Sequence, residues 1–592
     1  MKNFLKFLLA SCLGTLLALG GLVFFSVWTA TNIAKKVNTA EKVKPNTVLS
    51  INLNEPIPER TNNVPVNPYE MTLEQNDVLG LQDLLEVLEV AKEDDNIKGI
   101  YMELSQPMTG LASLSAIRAA VDDFKESGKF VVAYSGFYSQ TGYYMASVAD
   151  KVYINPTGSI FFNGFAAQVP FFKDMLDKIG VKAQVFYAGK FKSATEPFRR
   201  TEMSPENRLQ IKEYLDENYQ YFLEDISKSR DISVAELMRI ADEFELRETE
   251  DAQRLNFVDG IMYKDQVLDE LRDRLGLDKN EKITTMSLGA YHAAAGKRSN
   301  YKAKDKIAVV YAEGGIVDGE GEQGSIGGDK YARIIRKIRQ DKKVKAIVLR
   351  VNSGGGSGYA SENIWREMGL ANEQGIKTVV SMGDVAASGG YYIACNSDKV
   401  FAQRNTITGS IGVFGLLPSM KELMNDKIGI RMDTVKTGKY ATIGNTFYDL
   451  NPDESLLIQQ MVDTFYQHFL ERVADGRSMT VKEVNEVAQG RVWTGAQAKA
   501  LGLIDEMGDL NAALKSAAEL ADLDEYRMVE YPKTKDPFTQ LIEELTGKEN
   551  NFANAMLKEE LGDPLYQYFE KAKEIKKMSG IQARMPFDLV IR

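Results

Sequence analysis

The first feature of the hydropathy pattern is a run without charge, residues 7–30, FLLASCLGTLLALGGLVFFSVWTA. As a helix at ~1.5 Å per residue it reaches about 36 Å, enough for a ~30 Å hydrocarbon core with some tilt. A cleaved signal peptide has a shorter apolar region, about 7–15 residues, so the run reads as a retained membrane anchor. It continues well past Cys12, which reads as a lipid-facing or buried thiol. Lysines flank both ends (Lys2 and Lys6 before, Lys35, Lys36, Lys42 and Lys44 after), so local charge does not set the orientation.

Beyond the anchor, short apolar runs alternate with amphipathic ones. IAVVYA (307–312), AIVLRVN (346–352), TVVSMG (378–383) and KVFAQ (399–403) predict strands. YARIIRKIRQ (331–340), about 360–373, 455–475 and 481–488 predict helices. Continuous apolar strands separated by helices predict a buried, mostly parallel sheet. The pattern occurs twice, 78–260 recurring at 325–506. Ile97-Lys98-Gly99-Ile100 matches Val344-Lys345-Ala346-Ile347, Thr157-Gly158-Ser159-Ile160 matches Thr408-Gly409-Ser410-Ile411, and Gly189-Lys190-Phe191 matches Gly438-Lys439-Tyr440. The offsets drift only between 246 and 251, which means two copies of one domain. The expected organisation is an anchor (1–46), a first repeat (47–285), a linker (286–305), a second repeat (306–530) and a C-terminal tail module (531–592) with a helix at 537–546.

Composition removes whole classes of function. Among 592 residues, 72 Lys and Arg against 83 Asp and Glu give a net charge of −11, without the basic stripe that a nucleic-acid partner requires. Two cysteines, Cys12 and Cys395, make no disulfide framework. Two histidines, His292 and His468, argue against a His-rich metal site, and no metal or cofactor is expected. His468 aligns with Tyr221, which suits a packing position, and His292 falls in the expected linker, so hydrolytic chemistry needs another base. Gly319-Glu320-Gly321-Glu322-Gln323-Gly324 has dinucleotide-loop spelling, but its two glutamates would repel a pyrophosphate, and a flexible loop is the better reading.

The chemistry gathers around SMGDVAASGGYYIA (381–394), where Ser388 falls at a strand-to-helix turn among small residues. Taken alone, it reads more readily as a helix cap in a glycine-rich turn than as a nucleophile. A second loop, Asn352-Ser353-Gly354-Gly355-Gly356-Ser357, follows a strand, and its backbone N–H groups could form an oxyanion hole with that of Gly389. The repeat acts as an internal control. Ser388 aligns with Gln140, and Gly355 and Gly356 with Met108 and Thr109, so the first copy lacks both features. It has Lys192 instead, in AGKFKSATEPF (188–198), where the second copy has Ala441. One complete site would therefore take Lys192 from one copy and Ser388 from the other. Lysine acts as a base only when neutral, so its pKa must fall from about 10.4 to roughly 7. Lys190, matched by Lys439, fits a shared structural role, and it could also lower the Lys192 pKa by repulsion.

Together, FKSATEPF, NSGGGS and SMGDVAASGGYY resemble the signal peptide peptidase A family, also called protease IV, in its long membrane-anchored two-repeat form. The resemblance covers nearly the whole chain. It implies α/β architecture, a tandem repeat of two Clp-protease/crotonase-like α/β spiral domains preceded by one transmembrane helix. It also implies a membrane-anchored serine endopeptidase with a Ser-Lys dyad that degrades remnant signal peptides. On this reading Ser388 is the nucleophile, Lys192 the general base, and Gly389, Gly355 and Gly356 the oxyanion hole. The implied partners are hydrophobic peptides, the lipid bilayer and other copies of the chain in a homotetramer. The implied location is the bacterial inner membrane, with the catalytic domains on the periplasmic side. One departure is visible: Gly354 stands where the family has proline, while Pro107 keeps it in the first copy. The competing functions are a crotonase-like acyl-CoA enzyme and a non-catalytic membrane scaffold.

Overall fold

The computed structural model describes residues 42–61, 79–295, 302–533 and 580–585, together with Gly21. The expected anchor helix, Gly21 apart, and the expected helix at 537–546 lie outside them. Among the described residues no helix is long and apolar enough to cross a membrane.

Each repeat builds one sheet, parallel in the first copy and mostly parallel in the second, where Ile407–Gly409 and Val492–Thr494 add an antiparallel pair, and the two sheets share the order of their remaining strands. In the first copy the order is Gly260–Ile261, Lys151–Ile160, Phe130–Tyr138, Ile97–Glu103, Thr47–Ile51, Thr284–Ser287. In the second, Glu506–Met507, Lys399–Ala402, Lys377–Ala387, Val344–Ser353, Lys306–Glu313 and Arg527–Tyr531 follow one another in the same way. Both faces are covered. Leu81–Glu93 and Leu111–Lys125 pack on one side of the first sheet and Lys264–Leu275 on the other. In the second copy Gly328–Arg339 and Gly358–Glu373 cover one side and Leu510–Leu520 the other. Two covered faces explain why the strands read as continuous apolar runs rather than alternating ones. Arg350 interrupts one such run. It is buried there because it donates to both carboxylate oxygens of Glu59 at 2.7 and 3.2 Å, and to Ser381 Oγ and the Met382 carbonyl.

In the second copy the chain repeatedly leaves the large sheet at a glycine and adds a short strand to another sheet before its helix. Lys306–Glu313 turns at Gly314 into Gly315–Val317, and Val344–Ser353 turns at Gly354 into Gly355–Ser357. This smaller sheet runs Ser325–Gly327, Gly315–Val317, Gly355–Ser357, Ile581–Arg584, Val413–Ser419, Lys182–Ala188. Its last strand belongs to the first copy, which crosses over to pair antiparallel with Val413–Ser419.

Two expected boundaries need correction. Residues 286–295 are not linker: Thr284–Ser287 is the edge strand of the first sheet and Leu288–Ala295 a helix. Met286, Leu288 and Tyr291 anchor both in the first core. A run of small residues read as a linker because the three buried side chains among them carry no periodic signal. Nor is the C-terminal region wholly a separate module. Tyr531 ends a strand of the second sheet, and Ile581–Arg584 is a strand of the shared one.

Candidate active site

The strand Lys377–Ala387 delivers Ser388 to the site. Ser388 has φ +56° and ψ −114°, a backbone conformation that side-chain-bearing residues rarely adopt. Its N–H donates to the Gly409 carbonyl at 2.8 Å, its carbonyl accepts from Tyr392 N–H at 2.8 Å, and the short helix Gly389–Tyr392 follows. The strand-to-helix turn expected from the sequence is therefore present, and it is strained in the way that projects a side chain out of a turn.

Lys192 arrives from the first copy on the crossing strand Lys182–Ala188. Past this strand, Gly189 turns at φ +103°, Phe191 N–H donates to the Gln489 carbonyl at 2.8 Å, and Lys192 N–H donates to the Gly189 carbonyl at 3.0 Å. A Cβ at Gly490 would lie 2.6 Å from Lys192 Cβ, so the second copy leaves room for the lysine by having no side chain there. A buried polar set holds the loop after Lys192. Ser193 Oγ donates to Asn207 Oδ1 at 2.8 Å, Gln210 Nε2 donates to the Phe191 carbonyl at 3.2 Å, and Glu196 Oε2 accepts from Ser204 N–H and Asn207 Nδ2 at 3.1 and 3.0 Å. Gln210 Oε1 also accepts from Val492 N–H at 3.3 Å, tying this set to the second copy.

At the heart of the contact between the copies the two candidate groups come together. Lys192 Nζ lies 2.7 Å from Ser388 Oγ within one chain. It also donates to the Ser410 carbonyl at 3.2 Å and to Ser410 Oγ at 3.1 Å. Lys192 is 1% exposed, and Ser388 and Ser410 are 0% exposed. Burial pushes the Lys192 amine well below the ordinary lysine range, with no contribution from a neighbouring cation. Lys190 is exposed and stacks over Phe191, so it takes no part in that shift. A neutral amine hydrogen-bonded to a buried hydroxyl can accept the hydroxyl proton, which an ammonium cannot.

Gly355 lies beside Gly389, as expected: a Cβ on Gly355 would come 2.6 Å from the Gly389 nitrogen. The Gly355 N–H donates to Ser353 Oγ at 3.1 Å. Gly356 is engaged in the shared sheet, opposite Ile316 and Ala583. His468 lies on the helix Pro452–Arg477 and His292 on Leu288–Ala295, where it faces Asp83 at 3.7 Å. Sequence reasoning missed Ser410. Its motif recurs as Thr157-Gly158-Ser159-Ile160, so it stood out as a repeat marker rather than as site chemistry.

Comparison with known proteins places the chain in a family. Residues 123–278 and 371–524 each match Peptidase family S49. The chain is 36% identical to Protease 4 of Haemophilus influenzae over 449 residues, 74% of this chain and 73% of that one. It is 38% identical to Protease 4 of Salmonella typhi over 480 residues, 79% of this chain and 76% of that one. It is 34% identical over 234 residues to a putative signal peptide peptidase SppA of Enterococcus faecium, 39% of this chain and 68% of that one.

Proposed function

The chain belongs to Peptidase family S49 and is a serine peptidase, and from that premise we propose that Ser388 is its nucleophile and Lys192 its general base. The observation that carries this reading is the 2.7 Å contact between Lys192 Nζ and Ser388 Oγ in a site whose burial favours the neutral amine. Neutral Lys192 takes the Ser388 proton as Oγ attacks the peptide carbonyl. The Gly389 N–H, with that of Gly355 once it turns from Ser353, stabilises the oxyanion. Protonated Lys192 then passes its proton to the departing amine, and a water activated by Lys192 hydrolyses the acyl-enzyme. Gly356 supports this loop through its strand pairing. The chemistry asks for no metal or cofactor.

The substrates we infer are hydrophobic peptides, cleaved signal peptides above all. They would be degraded at the periplasmic face of the bacterial inner membrane, to which residues 7–30 anchor the chain. The name of the Enterococcus relative and the length of the apolar run support this reading. The strand–glycine–strand–helix units support the finer fold reading, a pair of Clp-protease/crotonase-like spirals. The same architecture in an acyl-CoA enzyme or a scaffold would not account for family membership.

We also infer assembly into a homo-oligomer, a tetramer by family resemblance. The second-copy counterpart of the crossing strand, residues 431–437, lies open to solvent, with Val435 99% exposed and Met432 half-exposed. That exposure supports a strand that crosses to a neighbouring chain.

The test is to incubate the detergent-solubilised protein with a synthetic signal peptide and follow its fragments by mass spectrometry. Wild type should cleave it and Ser388→Ala should not. Cleavage at the wild-type rate by Ser388→Ala would refute the assignment.

A further inference from the structure

The strand Lys377–Ala387 changes neighbours shortly before it delivers Ser388. Residues 379–381 pair with 399–401, and residues 385–387 pair with Ile407–Gly409. Along the other edge Val351 lies opposite Met382 and Ser353 opposite Ala386, so Gly383, Asp384 and Val385 face Asn352 alone. A bulge of this kind bends a strand and re-aims the side chains that follow it. Asn352 Oδ1 accepts from Val385 N–H at 3.1 Å, and Thr406 Oγ1 donates to the Gly383 carbonyl at 2.8 Å, which holds the backbone on either side of Asp384.

At this bulge the Asp384 side chain reaches into the first copy. Its Oδ1 accepts from Ser113 N–H at 2.9 Å and its Oδ2 from Ser113 Oγ at 2.6 Å. Ser113 lies in the first turn of the helix Leu111–Lys125, whose own cap position is Gly110, with no side chain to accept from it. The equivalent second-copy helix Gly358–Glu373 caps itself, Ser357 Oγ accepting from Ala360 N–H at 3.2 Å. Asp384 therefore supplies from one copy the cap that the other copy's helix lacks. A Cβ at Gly110 would lie 2.2 Å from the Asp384 carboxyl carbon, so the bare cap position is what admits it. Asn405 Nδ2 grips the same turn, donating to the Leu111 carbonyl at 3.0 Å. The first copy has the same bulge, between Ser135 and Phe137, with Gly136 where the second has Asp384. The kink thus needs no carboxylate. Burial raises the Asp384 carboxyl above the ordinary range, and the Ser113 O–H and N–H offset that only in part. What this costly group adds is a tie between the copies, placed on the strand that carries Ser388.

We propose, resting on the reading of Ser388 and Lys192 as a catalytic pair, that Asp384 is a positioning residue: by capping the helix Leu111–Lys125 across the copies it fixes the bulge ahead of Ser388 relative to the copy that brings Lys192, and so sets the distance between Ser388 Oγ and Lys192 Nζ. A helix cap alone acts on stability. A positioning tie acts on kcat as well, since a displacement of ~1 Å in reacting groups costs about 10²-fold in rate.

The test compares wild type, Asp384→Ala, and Asp384→Ala combined with Gly110→Ser. Each is assayed on a peptide anilide for kcat and KM, labelled at Ser388 with a fluorophosphonate probe, and melted. Asp384→Ala should lose about 10²-fold in kcat with KM little changed, label more slowly and melt lower. Gly110→Ser gives the helix a cap of its own in the space the carboxylate leaves. The double variant should regain the wild-type melting temperature and keep the low kcat and slow labelling. Wild-type kcat in Asp384→Ala, or kcat restored together with melting in the double variant, would overturn the proposal. If the double variant does not regain the melting temperature, Asp384→Asn decides, because its amide oxygen still accepts from Ser113 N–H. A kcat within about threefold of wild type then supports the tie, and a kcat as low as that of Asp384→Ala overturns it. Labelling of Ser388 at the wild-type rate in every variant removes only the role of Asp384, whereas no labelling of Ser388 in wild type removes the catalytic pair and the role of Asp384 with it.

Discussion

Lys192 and Ser388 are separated by 196 positions in sequence and by 2.7 Å in space, each contributed by a different copy of the same repeat. Neither copy holds both groups, so the site exists only because the first copy sends the strand Lys182–Ala188 into a sheet of the second.

Replacing the base tests this arrangement. Lys192→Met should lower kcat/KM on a peptide substrate by about 10²–10⁴, the usual worth of a positioned base. Lys192→Arg should lose as much, because arginine stays protonated. The double variant His292→Ala, His468→Ala should keep nearly all activity, since neither ring reaches Ser388. Steady-state kinetics on the purified variants measures all three.

The lowered Lys192 pKa fixes two pH dependences. Activity needs the neutral amine, so kcat/KM should rise with pH through a value well below the ordinary lysine range and then level off. Stability follows from the same lowering. Between the folded and unfolded pKa values the unfolded chain binds the proton and the folded one does not. Each pH unit that separates the two values costs the fold about 1.4 kcal/mol. This cost is full at and below the folded pKa and fades as pH rises towards the unfolded value of about 10.4. Lys192→Met should therefore be more stable than wild type at pH ~7, with the difference shrinking by pH ~10. Urea melts at the two pH values measure it.

Gly490→Ala should disable the site from outside it. Gly490 has φ +76°, and an added Cβ would meet Lys192 Cβ and N at 2.6 Å. Backbone strain of about 1–3 kcal/mol and displacement of Lys192 should lower the melting temperature and abolish cleavage together.

Glu59→Ala should destabilise without touching the chemistry. It leaves Arg350, 2% exposed, without its buried partner, a loss of about 3–5 kcal/mol. Replacing both residues with apolar ones should cost less, and thermal melting distinguishes the two.

The parts legible in the sequence were those written as pattern. Buried parallel strands read as apolar runs, and the near-constant offset between 97–100 and 344–347 revealed the duplication. Comparison of the copies then singled out Lys192 against Ala441 and Ser388 against Gln140. The same comparison hid Ser410, because Ser159 preserves it in the first copy. Ile581–Arg584 was not legible either. Four residues carry no period, and their pairing with Gly355–Ser357 is set by a slot more than two hundred positions away. The destination of Lys182–Ala188 was hidden for a similar reason: its residues encode a strand, but not which sheet it joins.

The chemistry of this site turns on Ser388 being a nucleophile made reactive by Lys192. Labelling with a fluorophosphonate, followed by proteolysis and mass spectrometry, reads out both halves of that statement at once. The adduct should lie on Ser388 alone, should form faster as pH rises, and should vanish in Lys192→Met although that variant stays folded. An adduct on another serine, or full-rate labelling of Ser388 in Lys192→Met, would contradict it.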